Sequence, residues 1–127
     1  MTHDSARRPL VTVIDDDQSV RESLPELLRE SGYEVETFSS AEEFLASGDP
    51  GRTKCLVLDV TMPGMSGPEL QCELQRRGQS MPVVFITAHG DRTMLPRLLE
   101  QGAVDCLFKP FTESALLAAI GSALRVA

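Results

Sequence analysis

Short apolar runs alternate with helix-spaced apolar stripes along the chain. "LVTVI" (10–14) is an unbroken apolar run of strand length, and Val20, Leu24, Leu27 and Leu28 then recur at helical spacing up to Gly32. Pro25 falls inside that stripe and predicts a kink, because its ring nitrogen cannot bond the Arg21 carbonyl. "YEVETF" (33–38) alternates like a strand, "SSAEEFLA" (39–46) opens a short helix with a capping-box pattern, and "GDPGRT" is a loop. "CLVLD" (55–59) is the third strand, followed by the turn-rich loop "VTMPGM". Ser66 and Glu69 form a second capping box for a helix running to about Arg77. "PVVFIT" (82–87) is the fourth strand and "AHGDR" a loop; "TMLPRLLEQG" is a helix with Pro96 in or near its first turn. "DCLFK" (105–109) is the fifth strand, and Thr112 caps a last helix through about Leu124.

Five strands and five helices in strict alternation predict an α/β fold, a parallel sheet covered on both faces with right-handed crossovers. The near-continuous apolar strands agree, since parallel strands are buried on both sides. The common five-strand order is 2-1-3-4-5, the flavodoxin-like arrangement, and its ligand crevice lies at the strand carboxyl ends between strands 1 and 3. Residues 1–9 read as a flexible N-terminal tail and residues 10–127 as one domain.

Composition narrows the function. A 127-residue chain with 42% hydrophobic and 24% charged residues is that of a soluble globular domain. A net charge of −7 argues against nucleic acid or an anionic membrane as a direct partner. Cys55, Cys72 and Cys106 are odd in number and widely spaced, which suits a reduced cytoplasmic protein better than a disulfide scaffold or zinc site. "MTHDSARRP" has no apolar stretch behind its basic pair, and no segment approaches the roughly 20 apolar residues of a membrane span.

The polar residues at the strand ends carry the chemistry. Asp15 and Asp16 end strand 1, Asp59 ends strand 3, Thr87 ends strand 4 and Lys109 ends strand 5. In the expected order these ends are neighbours on one rim. Two carboxylates about 4 Å apart repel by roughly 4 kcal/mol at a surface-like dielectric, so a cluster implies a neutralising cation or side chains splayed into water. Each residue has a plain reading by itself: Asp59 as a turn or capping residue, Lys109 as a snorkelling lysine beside a proline. Their coincidence on one rim favours a shared task. Three carboxylates, a hydroxyl and an ammonium suit phosphoryl transfer with a hard divalent cation such as Mg2+, in which one carboxylate attacks phosphorus to give an aspartyl phosphate. No GxxxxGK[ST] loop is present, so a nucleoside triphosphate is not the expected ligand.

"VIDDD", "CLVLDVTMPGMSGPEL", "VVFITAHGD" and "GAVDCLFKPF" together resemble the receiver domain of bacterial two-component response regulators, and "TAHGD" with "AVDCLFKPF" is most similar to the FixJ-like subgroup. The resemblance spans residues 10–125. It implies that Asp59 is phosphorylated by a histidine kinase, that Asp16 binds Mg2+ directly with Asp15 acting largely through water, and that the Thr61 backbone carbonyl is the third protein ligand. It further implies that Thr87 bonds the phosphoryl group and switches position, that Lys109 contacts a phosphoryl oxygen, and that the Lys109–Pro110 bond is cis. The face made by helix 4, strand 5 and helix 5 would meet an output domain, a target protein or a second copy after phosphorylation. Asp17 is then the plain member of the triplet, placed near the helix start. The chain's own enzymatic activity would be limited to self-phosphorylation and self-dephosphorylation. One position departs from the family pattern: Cys106 stands where an aromatic residue usually reports phosphorylation.

Two rival readings remain. Asp15, Asp17 and Ser19 also read as hhhDxDxS, similar to the nucleophile motif of haloacid-dehalogenase-like phosphotransferases, although only Glu113 stands for the acidic pair expected after the lysine. The other rival is a receiver-like interaction module that works without phosphorylation. The chain ends where the last helix should end, which fits a stand-alone receiver or the front part of a longer regulator.

Overall fold

The computed structural model describes residues 8–88 and 92–126. Of the expected tail, residues 1–7 lie outside the described residues, as do residues 89–91 of the "AHGDR" loop. The chain runs β1 (Leu10–Ile14), α1 (Gln18–Glu30), β2 (Glu34–Phe38), α2 (Ala41–Ser47), β3 (Thr53–Asp59), α3 (Gly67–Arg76), β4 (Val83–Thr87), a 3-10 turn (Arg92–Met94), α4 (Leu95–Glu100), β5 (Asp105–Phe108) and α5 (Glu113–Val126). The five strands form one sheet in the order β2-β1-β3-β4-β5, and every pairing is parallel.

Two apolar layers sandwich the sheet. Alternate strand residues Val11, Val13, Cys55, Val57, Val84 and Ile86 pack with Leu24 and Leu28 of α1 and Leu116, Ala119, Ile120 and Ala123 of α5. The opposite face, with Ile14, Leu56, Leu58 and Phe85, packs with Phe44 of α2, Leu70 and Leu74 of α3 and Leu98 of α4. The period-two alternation of each strand thus sends one set of side chains to each helical layer.

The capping signals act as the sequence predicts. Asp17 caps α1 by accepting from Ser19 N at 2.9 Å. Ser66 and Glu69 complete a reciprocal capping box at α3, and Thr112 accepts from Ala115 N at 3.0 Å at the start of α5. At α2, Ser40 accepts from Glu43 N, while the Glu43 carboxylate reaches one residue further back, to Ser39 N. The α1 assignment is continuous through the buried Pro25. β3 begins at Thr53, two residues earlier than expected, because Leu10 of β1 offers it a partner.

Candidate functional site: an acidic pocket closed by a lysine

Asp15 follows β1 directly and is wholly buried. Its main-chain N–H donates to the Phe38 carbonyl at 3.1 Å, extending the β1–β2 ladder by one rung. Its two carboxylate oxygens are both engaged: Oδ1 accepts from Asp17 N at 2.8 Å, and Oδ2 from Lys109 Nζ at 2.9 Å. The Asp15 carbonyl accepts from Arg21 Nη1 at 2.9 Å. Arg21 has no part in the sequence reading. Its signal would have been its place on the first turn of α1, from which a long side chain can reach back to the strand end. Asp16, the next residue, is exposed.

Asp59 closes β3 and is 5% exposed, with Oδ1 accepting from Thr61 N at 3.3 Å. Gly67 rests against the end of this strand: its N–H donates to the Val60 carbonyl at 3.0 Å, and a Cβ there would overlap the Asp59 carbonyl oxygen. Glycine is required at Gly67 by this close approach. Thr87 ends β4, buried, with Ile86 in register with Asp59. Its carbonyl accepts from Lys109 N at 2.8 Å, which places the lysine at the end of β5 beside β4. The Lys109–Pro110 peptide is cis, as the family resemblance implies.

One oxygen from each of Asp15, Asp16 and Asp59 lies within 4.8 Å of the others. Burial, then the charge of Asp15 and hydrogen bonds to its carboxyl and that of Asp16, push the Asp59 pKa up from 3.8 to about 7, against the opposing pull of Lys109. Metal-free, the cluster therefore takes up a proton more readily than an isolated aspartate. The Lys109 pKa is raised: burial lowers it, and the bond and charge of Asp15, followed by the charges of Asp59 and Asp17, outweigh that. Three convergent carboxylate oxygens with excess negative charge fit a hard divalent cation that keeps part of its water shell. A Cys/His site for zinc is a poor match to this donor set.

All strand-end residues selected from the sequence converge on this rim, at the carboxyl ends of β1, β3, β4 and β5, the place where doubly wound sheets bind ligands. Asp17 stays outside the cluster as a helix cap. Cys106 is buried in the sheet, and burial pushes its thiol up to about 11, which makes it an unreactive core residue. Asp15 is badly placed to act as a nucleophile, being buried with both oxygens bonded.

A family model for the response regulator receiver domain matches residues 11–121. The chain is 43% identical to the response regulator protein TodT of Pseudomonas putida over 127 residues, covering 100% of this chain and 56% of that protein. It is 47% identical to nodulation protein W of Bradyrhizobium diazoefficiens over 120 residues, covering 94% of this chain and 53% of that protein. The chain thus spans about half the length of the curated relatives it matches. Among solved structures, FixJ-N superposes with a TM-score of 0.83 at 38% identity, covering 93% of this chain and 94% of that one. The response regulator StyR does so at 0.86 and 53% identity, covering 94% of this chain and 60% of the other. With its parallel 2-1-3-4-5 sheet and acidic rim, this chain belongs to the response regulator receiver domain family, the phosphorylation-controlled switches of two-component signalling.

Proposed function

We propose that Asp59 is the phosphoacceptor. A carboxylate oxygen of Asp59 attacks phosphorus of a phosphohistidine on a histidine kinase; the P–O bond forms, the P–N bond breaks with its electron pair going to nitrogen, and the imidazole, already protonated on its other ring nitrogen, leaves neutral. Asp59 is the cluster member whose carboxyl ends the strand beside the acidic pair with no lysine already bonded to it, and this observation carries the assignment. Asp16, Asp59 and the Thr61 carbonyl would hold Mg2+, with Asp15, already bonded to Lys109, contributing through water. Bound Mg2+ neutralises the carboxylates and the phosphoryl oxygens. Lys109 offers a second positive charge to a phosphoryl oxygen, and Thr87 a hydroxyl that the new group draws inward.

The chain is then a signalling domain whose own chemistry is limited to taking up and losing this phosphoryl group. Its proposed place is the cytoplasm, which rests on the family it belongs to. The face formed by α4, β5 and α5 would carry the signal to an output domain, a target protein or a second copy.

The test is incubation with Mg2+ and acetyl phosphate, read by intact mass. The parent chain should gain one phosphoryl group and Asp59→Asn none. Equal labelling of Asp59→Asn would overturn the assignment, and labelling lost on Asp15→Asn alone would favour the dehalogenase-like reading. A chain that takes up neither phosphate nor Mg2+ would be a phosphorylation-independent module.

A further inference from the structure

The loop from Val60 to Ser66 carries Thr61, and its shape is fixed from an unexpected quarter. At its base, Gly67 N donates to the Val60 carbonyl at 3.0 Å, and Val60 N donates to the Ile86 carbonyl at 2.9 Å. On the arm that leads into α3, Glu42 of α2 accepts from Met65 N through Oε2 at 2.9 Å. Gly64 makes room for that carboxylate: it has φ +76°, and a Cβ there would lie 2.6 Å from Glu42 Oε2. Two glutamates therefore satisfy consecutive N–H groups before α3, Glu42 from another helix for Met65 and Glu69 from its own helix for Ser66.

We propose that Glu42 is a positioning residue for the cation site. The inference rests on the assignment of the Thr61 carbonyl as a ligand made above. Two backbone bonds hold the base and Met62 is buried in the core, so the freedom left to this seven-residue loop lies in residues 63–66, where the bond from Glu42 to Met65 N restrains it. Thr61 lies on one arm of that loop, its N–H turned to Asp59 Oδ1. Releasing Met65 removes a restraint that reaches the Thr61 carbonyl through Gly64, Pro63 and Met62. A carboxylate accepting a backbone N–H is a charge-assisted bond, and outer partners that orient ligands typically contribute tenfold or more to metal affinity. Glu42 is exposed, so its share falls at or below the low end of that range.

The experiment is an Mg2+ titration of the full chain followed by amide chemical shifts, with Met65 amide exchange measured in the metal-free protein. The parent should bind Mg2+ with shifts at Asp16, Asp59 and Thr61. Glu42→Ala should weaken binding by about three- to tenfold and speed Met65 exchange. Glu42→Gln keeps an acceptor oxygen and should stay within about twofold of the parent. Thermal melting of both variants separates a loosened loop from a loosened fold: a loss of affinity matched by general unfolding would overturn the inference. So would unchanged affinity in Glu42→Ala, or an equal loss in both variants, which would mark long-range charge as the cause. A parent that shows no Mg2+-dependent shift at Thr61 would instead overturn the ligand assignment, and the role of Glu42 with it.

Discussion

Lys109 Nζ and Asp15 Oδ2 meet at 2.9 Å across 94 positions of sequence, with side-chain exposures of 18% and 0%. The pair couples the last strand of the sheet to the first strand's end. It also explains how the fold tolerates a fully buried carboxylate in an acidic cluster: one of its oxygens faces an ammonium and the other a backbone N–H.

Removing the lysine should therefore cost more than a surface ion pair would. Lys109→Ala leaves Asp15 buried and uncompensated, and the expected loss is about 3 kcal/mol in metal-free urea denaturation. Asp15→Asn in the same background should recover much of it, since the neutral amide needs no counter-charge. Losses that simply add in the double variant would contradict this account of the pair.

Stability of the metal-free protein should fall as pH rises. The Asp59 pKa is raised by burial and by the Asp15 charge to about 7 from an ordinary 3.8, so between these values the folded chain holds a proton that the unfolded chain has released. That contribution is fully present below the unfolded value and is lost as pH rises through the folded one. The melting midpoint should drop between about pH 4 and about pH 7, Mg2+ should restore more at the upper end, and Asp59→Asn should flatten the profile. A midpoint indifferent to pH across that window would refute the raised pKa.

Gly67→Ala should damage both the fold and the site. A Cβ at this position meets the Asp59 carbonyl oxygen and comes within 3.0 Å of the Phe85 ring, so α3 must move away from β3. The expected cost is about 1–3 kcal/mol, with slower phosphorylation by acetyl phosphate. Gly78→Ala is the contrasting case: nothing lies within 4 Å of its Cβ, and its cost comes from φ +77° alone.

Phosphorylation should be felt in α4 more than in β5. Cys106 is small and buried, so its rotation reshapes little surface. The first turns beyond β4 are the weak element: a 3-10 turn leads into a six-residue helix with Pro96 in its first turn and no side-chain cap. Addition of beryllofluoride should shift the amides of Thr87, Ala88, residues 92–95 and Arg97, with Cys106 keeping its rotamer. Still amides at 92–95 and Arg97 together with a rearranged Cys106 and β5 would contradict this route.

The sequence made the sheet order and the rim legible because both rest on local signals: apolar strands bounded by turns, and polar residues at their ends. Asp17, Ser66 and Thr112 were readable as caps for the same reason, since their partners lie two or three residues away. What escaped depends on distant partners. The early start of β3 needs Leu10, the carbonyl of Asp15 needs Arg21, and Met65 N needs Glu42, 23 positions away. The Asp15–Lys109 pairing falls between these cases: strand order placed the two residues on one rim, but their direct bond required the three-dimensional path.

That path has a consequence during synthesis. The strand carrying Lys109 sits at the sheet edge and is made last, whereas Asp15, Asp16 and Asp59 are all present in the first half of the chain. At about 5–20 residues per second, the acids leave the ribosome several seconds before their lysine does. For that interval the nascent chain carries an acidic cluster without its counter-charge, and β1 and β3 have no reason to bury it. Because the Lys109–Asp15 bond closes over 94 positions, completion of the pocket waits for the last strand. A half-made switch has no pocket through which to receive a signal.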